Sequence, residues 1–204
     1  MGKKILVVAL AVAAVAMVAP SPASATSVPS LPSGVDQAYL ADSNGDPQNG
    51  NVNLHGLLTL TGAATISCSV DTFSLDYFDD GTGAVNAFTT SGCSIAGFPN
   101  CPIVVAATSL PWGARFGYDT SSSSYKLYAN LSIDVIFSAA APACPVAGTV
   151  PETGVLSPTA NISGTALTAA FSGSASGSLS GPLGSADYSG ILTGTVPSGS
   201  QLIF

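Results

Sequence analysis

The sequence predicts an all-β protein: an antiparallel β-sandwich or barrel-like single domain with two disulfides. Three observations carry that expectation. Apolar residues recur with period two rather than 3.6, four cysteines sit in a chain that opens like an exported protein, and short apolar runs are punctuated by Gly, Pro, Asn and Asp with no helical pattern between them.

The opening supplies the compartment. Met1-Gly2-Lys3-Lys4 precedes an uncharged run from Ile5 to Val18, then Ala19, Pro20 and the small-residue triplet Ala23-Ser24-Ala25. A basic start, a short apolar stretch and an A-x-A pattern describe residues 1–25 as a secretory signal peptide cut after Ala25. The apolar run is shorter than the roughly 20 residues that cross a bilayer, so the mature chain is expected to have no transmembrane span. Lys3 and Lys4 leave with the signal, and Arg115 and Lys126 then face eleven acidic residues. Phosphate binding requires clustered Lys and Arg, so no nucleic acid is expected as a partner, and anionic lipid surfaces are disfavoured for the same reason. Charged residues make up only 7% of the chain, against roughly 25% in ordinary soluble proteins. The surface must therefore be built from Ser, Thr, Gly, Asn and Ala, and surfaces of that kind associate readily, with self-association included.

About 179 residues remain after processing, the size of one domain with a real core. Residues 26–52, rich in Pro, Ser, Asn, Asp and Gly, are expected to form an extended or flexible lead-in, and residues 53–204 the all-β domain. From Leu58 to Val70 apolar side chains fall on even positions and hydroxyl-bearing ones between them, the pattern of a half-buried strand. From Tyr125 to Phe137 every odd position is apolar, and only strand geometry gathers those residues on one face. That run is long for one strand, so a bulge or bend is expected near Ala129 and Asn130. Further strands are expected at 84–91, 102–108, 112–119, 162–171, 177–183 and 187–196. Turns are expected at Asp79-Asp80-Gly81, Phe98-Pro99-Asn100, Ser121 to Ser124, Ala141-Pro142 and Gly181-Pro182.

Cys68, Cys93, Cys101 and Cys144 form an even set in an exported chain, which reads as two disulfides. The pairing of Cys68 with Cys93 and Cys101 with Cys144 is favoured. A Cys93–Cys101 bridge around Gly97-Phe98-Pro99-Asn100 is the serious alternative, because spacing alone does not fix connectivity. No C-x-x-C pair occurs and His55 is the only histidine, so no metal site or cofactor is expected.

The side chains that catalysis needs are sparse. A serine nucleophile requires a base and an orienting carboxylate, yet His55 is the only candidate base and no G-x-S-x-G elbow occurs. Asp76, Asp79 and Asp80 cluster as glycosidase carboxylates do, but a solvated turn explains them better. Asp42-Ser43-Asn44-Gly45-Asp46 begins like a calcium loop, then places Pro47 and Asn53 where that loop needs Gly and Glu. Val150-Pro151-Glu152-Thr153-Gly154 looks like a sortase sorting signal, but no apolar tail and basic end follow. Trp112, with Phe116 and Tyr118, is the candidate apolar ligand or surface contact; the competing reading has the indole capping the core where Pro111 breaks the ladder. Phe204 resembles the terminal aromatic of outer-membrane barrels, but Pro197-Ser198-Gly199-Ser200 spoils the alternating strand before it. No catalytic residue is assigned, and the protein is not expected to be an enzyme.

In layout the chain resembles the PraB-like family, the secreted proteins described as activators of alkane oxidation and their uncharacterised relatives. The likeness rests on the signal peptide, the opening Leu57-Leu58-Thr59-Leu60-Thr61-Gly62 leading to Cys68, then Gly92-Cys93, a strand ending in Leu110-Pro111-Trp112, and a later cysteine before a Gly, Ser and Thr-rich finish. It spans residues 55–195 loosely. The lead-in and the Asp-rich segment at 76–80 depart from it. The resemblance implies an extracellular, non-catalytic protein associated with hydrocarbon emulsification, the cell surface or the biofilm matrix, and carries over no catalytic residues. The expected function is that of a secreted surface or matrix protein acting by adsorption or association, with cell envelope, matrix components or apolar ligands as partners. The alternative is a β-barrel carrier of a lipid or small ligand, with Trp112, Phe116 and Tyr118 lining its cavity.

Overall fold

The structure, a computed structural model, describes residues 27–138, 143, 144, 146–182 and 184–204, with the backbone alone over 172–178. The expected signal peptide, the turn at Ala141-Pro142 and Leu183, the last residue of the strand expected at 177–183, lie outside the described residues. Among those described, twelve strands form and no helix. In chain order they are β1 (Val35–Ala41), β2 (Gly50–Thr61), β3 (Thr65–Tyr77), β4 (Thr82–Ile95), β5 (Ile103–Ala107), β6 (Trp112–Asp119), β7 (Ser124–Phe137), β8 (Gly148–Leu156), β9 (Thr159–Ser163), β10 (Ala166–Gly181), β11 (Gly184–Thr195) and β12 (Gln201–Ile203).

The pairings close on themselves. Moving from β6 through β4, β3, β2, β11, β10, β8 and β7, each strand is antiparallel to the next, and β7 pairs β6 again through Ala114↔Ala129 to Asp119↔Ser124. Of the two architectures expected, the molecule therefore adopts the barrel, which buries the strand edges that an open sheet leaves exposed. Two positions in the ring are broken strands. β5 and β6 lie end to end along β7, the first facing Ile133 to Phe137 and the second Ser124 to Ala129. β8 and β9 do the same on the other edge of β7, where Leu156 faces Ala129 and Thr159 faces Lys126 across the break at Ser157-Pro158. Counted by position, the chain is an up-and-down meander closed by the β2–β11 seam, with β1 and β12 added where β6 runs beyond its pairing with β4.

Alternation fills this barrel. Leu58, Leu60, Ile66, Cys68 and Val70 point inward, as do Leu127, Ala129, Leu131, Ile133, Val135 and Phe137 on β7. They meet Phe73, Phe116, Tyr188 and Leu192 at the centre, where Phe73 packs edge-on against Phe88 and Phe88 tilts against Trp112 at 5.5 Å. Each such side chain contributes roughly 1.5–3 kcal/mol through burial. The outer face carries hydroxyls, among them Thr59, Ser67, Ser69, Ser132 and Thr153, with Thr59 and Ser67 sharing a hydrogen bond of 3.0 Å between β2 and β3.

Cys68 bonds Cys93 and Cys101 bonds Cys144, the favoured pairing. The first bridge ties β3 to β4. The second ties the β4–β5 connection to the β7–β8 connection at the same end of the barrel, here termed the disulfide end.

Several expected elements differ. The lead-in is ordered where it was expected to be extended or flexible: β1 pairs β6 and β12, and β2 already begins at Gly50. The run from Leu58 to Val70 is a hairpin, because Thr61 faces Thr65 across Gly62-Ala63-Ala64. The even separation of six positions from Leu60 to Ile66 keeps both arms in phase, so the alternation survives the turn. The segment 162–171 likewise crosses the β9–β10 hairpin, and 177–181 is the end of β10, whose register against β11 jumps between Gly173 and Ser178. Strands β8 and β12 were not expected. No bulge interrupts β7 near Ala129 and Asn130, since β7 pairs β8 in unbroken register from Ala129 to Phe137. Its length is accommodated by pairing two successive strands on each edge.

Candidate functional site

β6 decides where the candidate aromatics go. Trp112, Ala114 and Phe116 point inward while Gly113, Arg115 and Gly117 face out, so Trp112 and Phe116 are 1% and 2% exposed and belong to the core. The indole Nε1–H donates to the Thr108 carbonyl at 2.7 Å, satisfying the polar handle that a buried tryptophan carries. Tyr118 alone of the three is only partly buried, near the end of β6 where β1 replaces β4. There Phe204 stacks on it with ring centroids 3.9 Å apart, and Tyr125 leans in at 5.0 Å. Phe204 is 64% exposed. The aromatic group that solvent reaches is therefore Tyr118, Tyr125 and Phe204. Sequence spacing did not assemble it, because its members lie on β6, β7 and the segment after β12.

Beside this group the chain wraps its own barrel. Residues 27–34 cross the outside of β6 and β7: Asn130 Nδ2 donates to the Ser27 carbonyl, and Leu31 and Val35 close over Gly117. A Cβ at Gly117 would fall 2.7 Å from Val35 Cγ1 and 2.9 Å from Leu31 Cδ2, so this outward glycine makes the socket. Outward-pointing Tyr128 is buried.

The interior offers no ligand cavity at the two voids inside it. The one walled by Leu54, Phe73, Leu127, Leu156, Phe171 and Leu192 leaves no room for a water. The other, beside Glu152 and Leu179, holds about 20 Å³, close to one water. The surface concavities near Tyr125 and Lys126 hold about 310 and 430 Å³ and are lined by Asn161, Gln201, Ser121 and Ser122 among others.

The acidic candidates are engaged in local structure. Asp42 Oδ1 accepts from the backbone of Asn44 and Asp46, an Asx-type turn whose hydrogen bonds hold its carboxyl below the usual range. Asp76 lies on the outer face of β3 and accepts from Asn51 and Asn86. The Asp79 backbone donates to Asn49, and Asp80 is held low by Thr82, with Arg115 adding a smaller contribution. Asp119 accepts from Ser121 and Ser122 at the β6–β7 tip and is lowered to about 2 by those bonds. His55 is exposed on β2 opposite Thr193. Among the described residues no group of three or more His, Cys, Asp or Glu converges as metal ligands. Val150 to Gly154, the sortase-like run, is the middle of β8, with Val150 and Glu152 turned into the barrel.

No family model, curated protein or solved structure matches this chain. The two disulfides are compatible with a non-cytoplasmic protein, and no helix among the described residues is long and apolar enough to cross a membrane.

Proposed function

We propose that this is a secreted, non-catalytic protein of the cell surface or extracellular matrix that acts by adsorbing to, or associating with, other surfaces. The observation that carries this reading is the division of the barrel's side chains. Apolar groups pack the interior, and the outward positions of the ring carry hydroxyls, amides and scattered aliphatics such as Leu57, Ile191, Val104 and Val155. Leu57 and Ile191 are direct neighbours across the β2–β11 seam, exposed at 53% and 56%. A weakly charged surface of this composition avoids the large cost of desolvating charges, and its hydroxyls and amides can exchange water for hydrogen bonds to a polar partner while the exposed aliphatics contact an apolar one. The PraB-like layout adds the more specific expectation of hydrocarbon droplets or biofilm. The carrier reading has less support, because the two interior voids described above accommodate at most a water. An outer-membrane barrel would show the opposite division, with apolar side chains facing lipid.

The test uses the purified mature protein with its disulfides intact. It is expected to lower the tension of an alkane–water boundary and to sediment with alkane droplets or producing cells. Protein that stays in the aqueous phase in every case, and leaves the tension unchanged, removes the basis of the proposal. Native mass spectrometry on material from its own secretion medium separates the carrier alternative, which requires a bound small molecule.

A further inference from the structure

The end of the barrel away from the disulfides carries a cleft of about 310 Å³ beside two short strands, β9 and β12. Asn161 and Ile162 of β9 line one side, Ser200 with Gln201 and Leu202 of β12 the other, and Tyr125 of β7 joins them. Its volume is at the lower end of ordinary small-molecule sites, about 300–1,000 Å³, and the mouths of β-barrels are among their usual places. None of the side chains lining it is charged. β12 pairs β1 alone, and beyond Thr159 β9 pairs only β10. Among the described residues both strands therefore keep an edge that no other strand pairs, with backbone donors and acceptors to offer. The ring of Phe204 stands beside Tyr125 with centroids 6.3 Å apart and is 64% exposed.

We propose that this cleft binds a neutral hexose unit of an extracellular glycan, with Tyr125 and the neighbouring Phe204 against its C–H face and Asn161, Ser200 and Gln201 on its hydroxyls. The proposal deepens the surface-association reading and rests on it, because it names the matrix component that one site would hold. The chemistry of the lining sorts the ligands. An anion finds no cation there, and an acyl chain would cover the two amides and the strand edges without giving them hydrogen bonds, which costs free energy. A pyranose satisfies both kinds of surface. Its C–H face packs on an aromatic ring, and its hydroxyls, each donor and acceptor, match amides, a serine and backbone groups. Parts of the site are fixed in advance. Phe204 lies on Tyr118 with centroids 3.9 Å apart and planes within 1° of parallel. Gln201 Nε2 donates to the Asp42 carbonyl at 2.9 Å, which holds that amide while its oxygen is left to accept. Groups already held in place lose little conformational freedom on binding.

The test titrates 15N-labelled mature protein, its disulfides intact, with maltohexaose, cellohexaose and laminarihexaose. The side-chain amide resonances of Asn161 and Gln201 are expected to shift saturably with at least one of them. Phe204→Ala is expected to weaken that binding about tenfold, equivalent to about 1.4 kcal/mol, and Asn161→Ala to weaken it as well. Both residues are exposed, so each variant is expected to keep the native emission of Trp112. Leu57→Ala, on the β2–β11 seam, is expected to bind as the native protein does. No saturable shift with any of the three sugars overturns the proposal, and so does binding that neither Phe204→Ala nor Asn161→Ala weakens. An oligogalacturonate that binds equally well overturns the neutral class of the ligand. The alkane–water measurement keeps the two readings apart. Protein that lowers the tension but binds none of the sugars refutes the cleft alone, whereas sugar binding without interfacial activity upholds the cleft and refutes adsorption to apolar surfaces.

Discussion

Replacing Gly190 by alanine strikes the seam that turns the sheet into a barrel. Gly190 on β11 faces Leu58 on β2, and Gly56 faces Leu192 two positions along the same ladder. Both glycines take positive φ, 135° and 155°, and the two backbones press together there. A Cβ at Gly190 would fall 2.1 Å from the Leu57 carbonyl oxygen and 3.0 Å from its carbon. Reaching even a 3.0 Å contact with the oxygen requires the strands to part by about 0.9 Å, which stretches the neighbouring ladder hydrogen bonds. Backbone strain at such a φ costs about 1–3 kcal/mol. With the displaced ladder added, the expected loss is about 3–5 kcal/mol, a large share of the roughly 5–15 kcal/mol that holds a domain together. Trp112 is the only tryptophan and is 1% exposed, so its emission during urea unfolding reports the barrel interior. Gly97→Ala is the matched control, with φ of 82° and nothing within 4 Å of the added Cβ; strain alone predicts a loss of about 1 kcal/mol there. If Gly190→Ala loses no more than Gly97→Ala, the backbones do not meet at this seam and the reasoning from ring closure fails.

Two further predictions concern the ends of the barrel. Cys68–Cys93 spans 25 residues and Cys101–Cys144 spans 43. Removing either by paired serine substitution is expected to cost about 3–4 kcal/mol by unfolded-chain entropy, read as a lower urea midpoint; an unchanged midpoint contradicts it. Asp42, Asp80 and Asp119 have folded values below their ordinary ones, so their contribution is present above about pH 4 and fades as pH falls, to about 2 for Asp119. Thermal midpoints should therefore drop between pH 4 and 2, and Asp119→Asn should show a smaller drop; an equal drop removes Asp119 from the account.

Legibility along the chain followed how strongly each strand alternates. β6 occupies residues 112–119 as expected, and β7 begins one residue early. β8 was hidden because its inward positions are Val150, Glu152, Gly154 and Leu156, and a glutamate and a glycine interrupt the apolar series. The β2–β3 turn was hidden because Gly62-Ala63-Ala64 lacks the Asn, Asp or Pro that usually marks one. β1 went unseen because its buried residues are few, Ala38, Leu40 and Ala41, inside a stretch rich in turn formers.

What the chain determined by itself was local: strand periodicity, an even set of cysteines and a shortage of charge, each readable because it depends on residues a few positions apart. Which of Trp112, Phe116 and Tyr118 solvent can reach, which strand closes on β2, and where the single glutamate ends up depend on contacts between distant segments. Those were decided only when β11 met β2 and the pleat of each strand acquired an inside. Period two says that faces alternate, and ring closure alone says which face the water keeps.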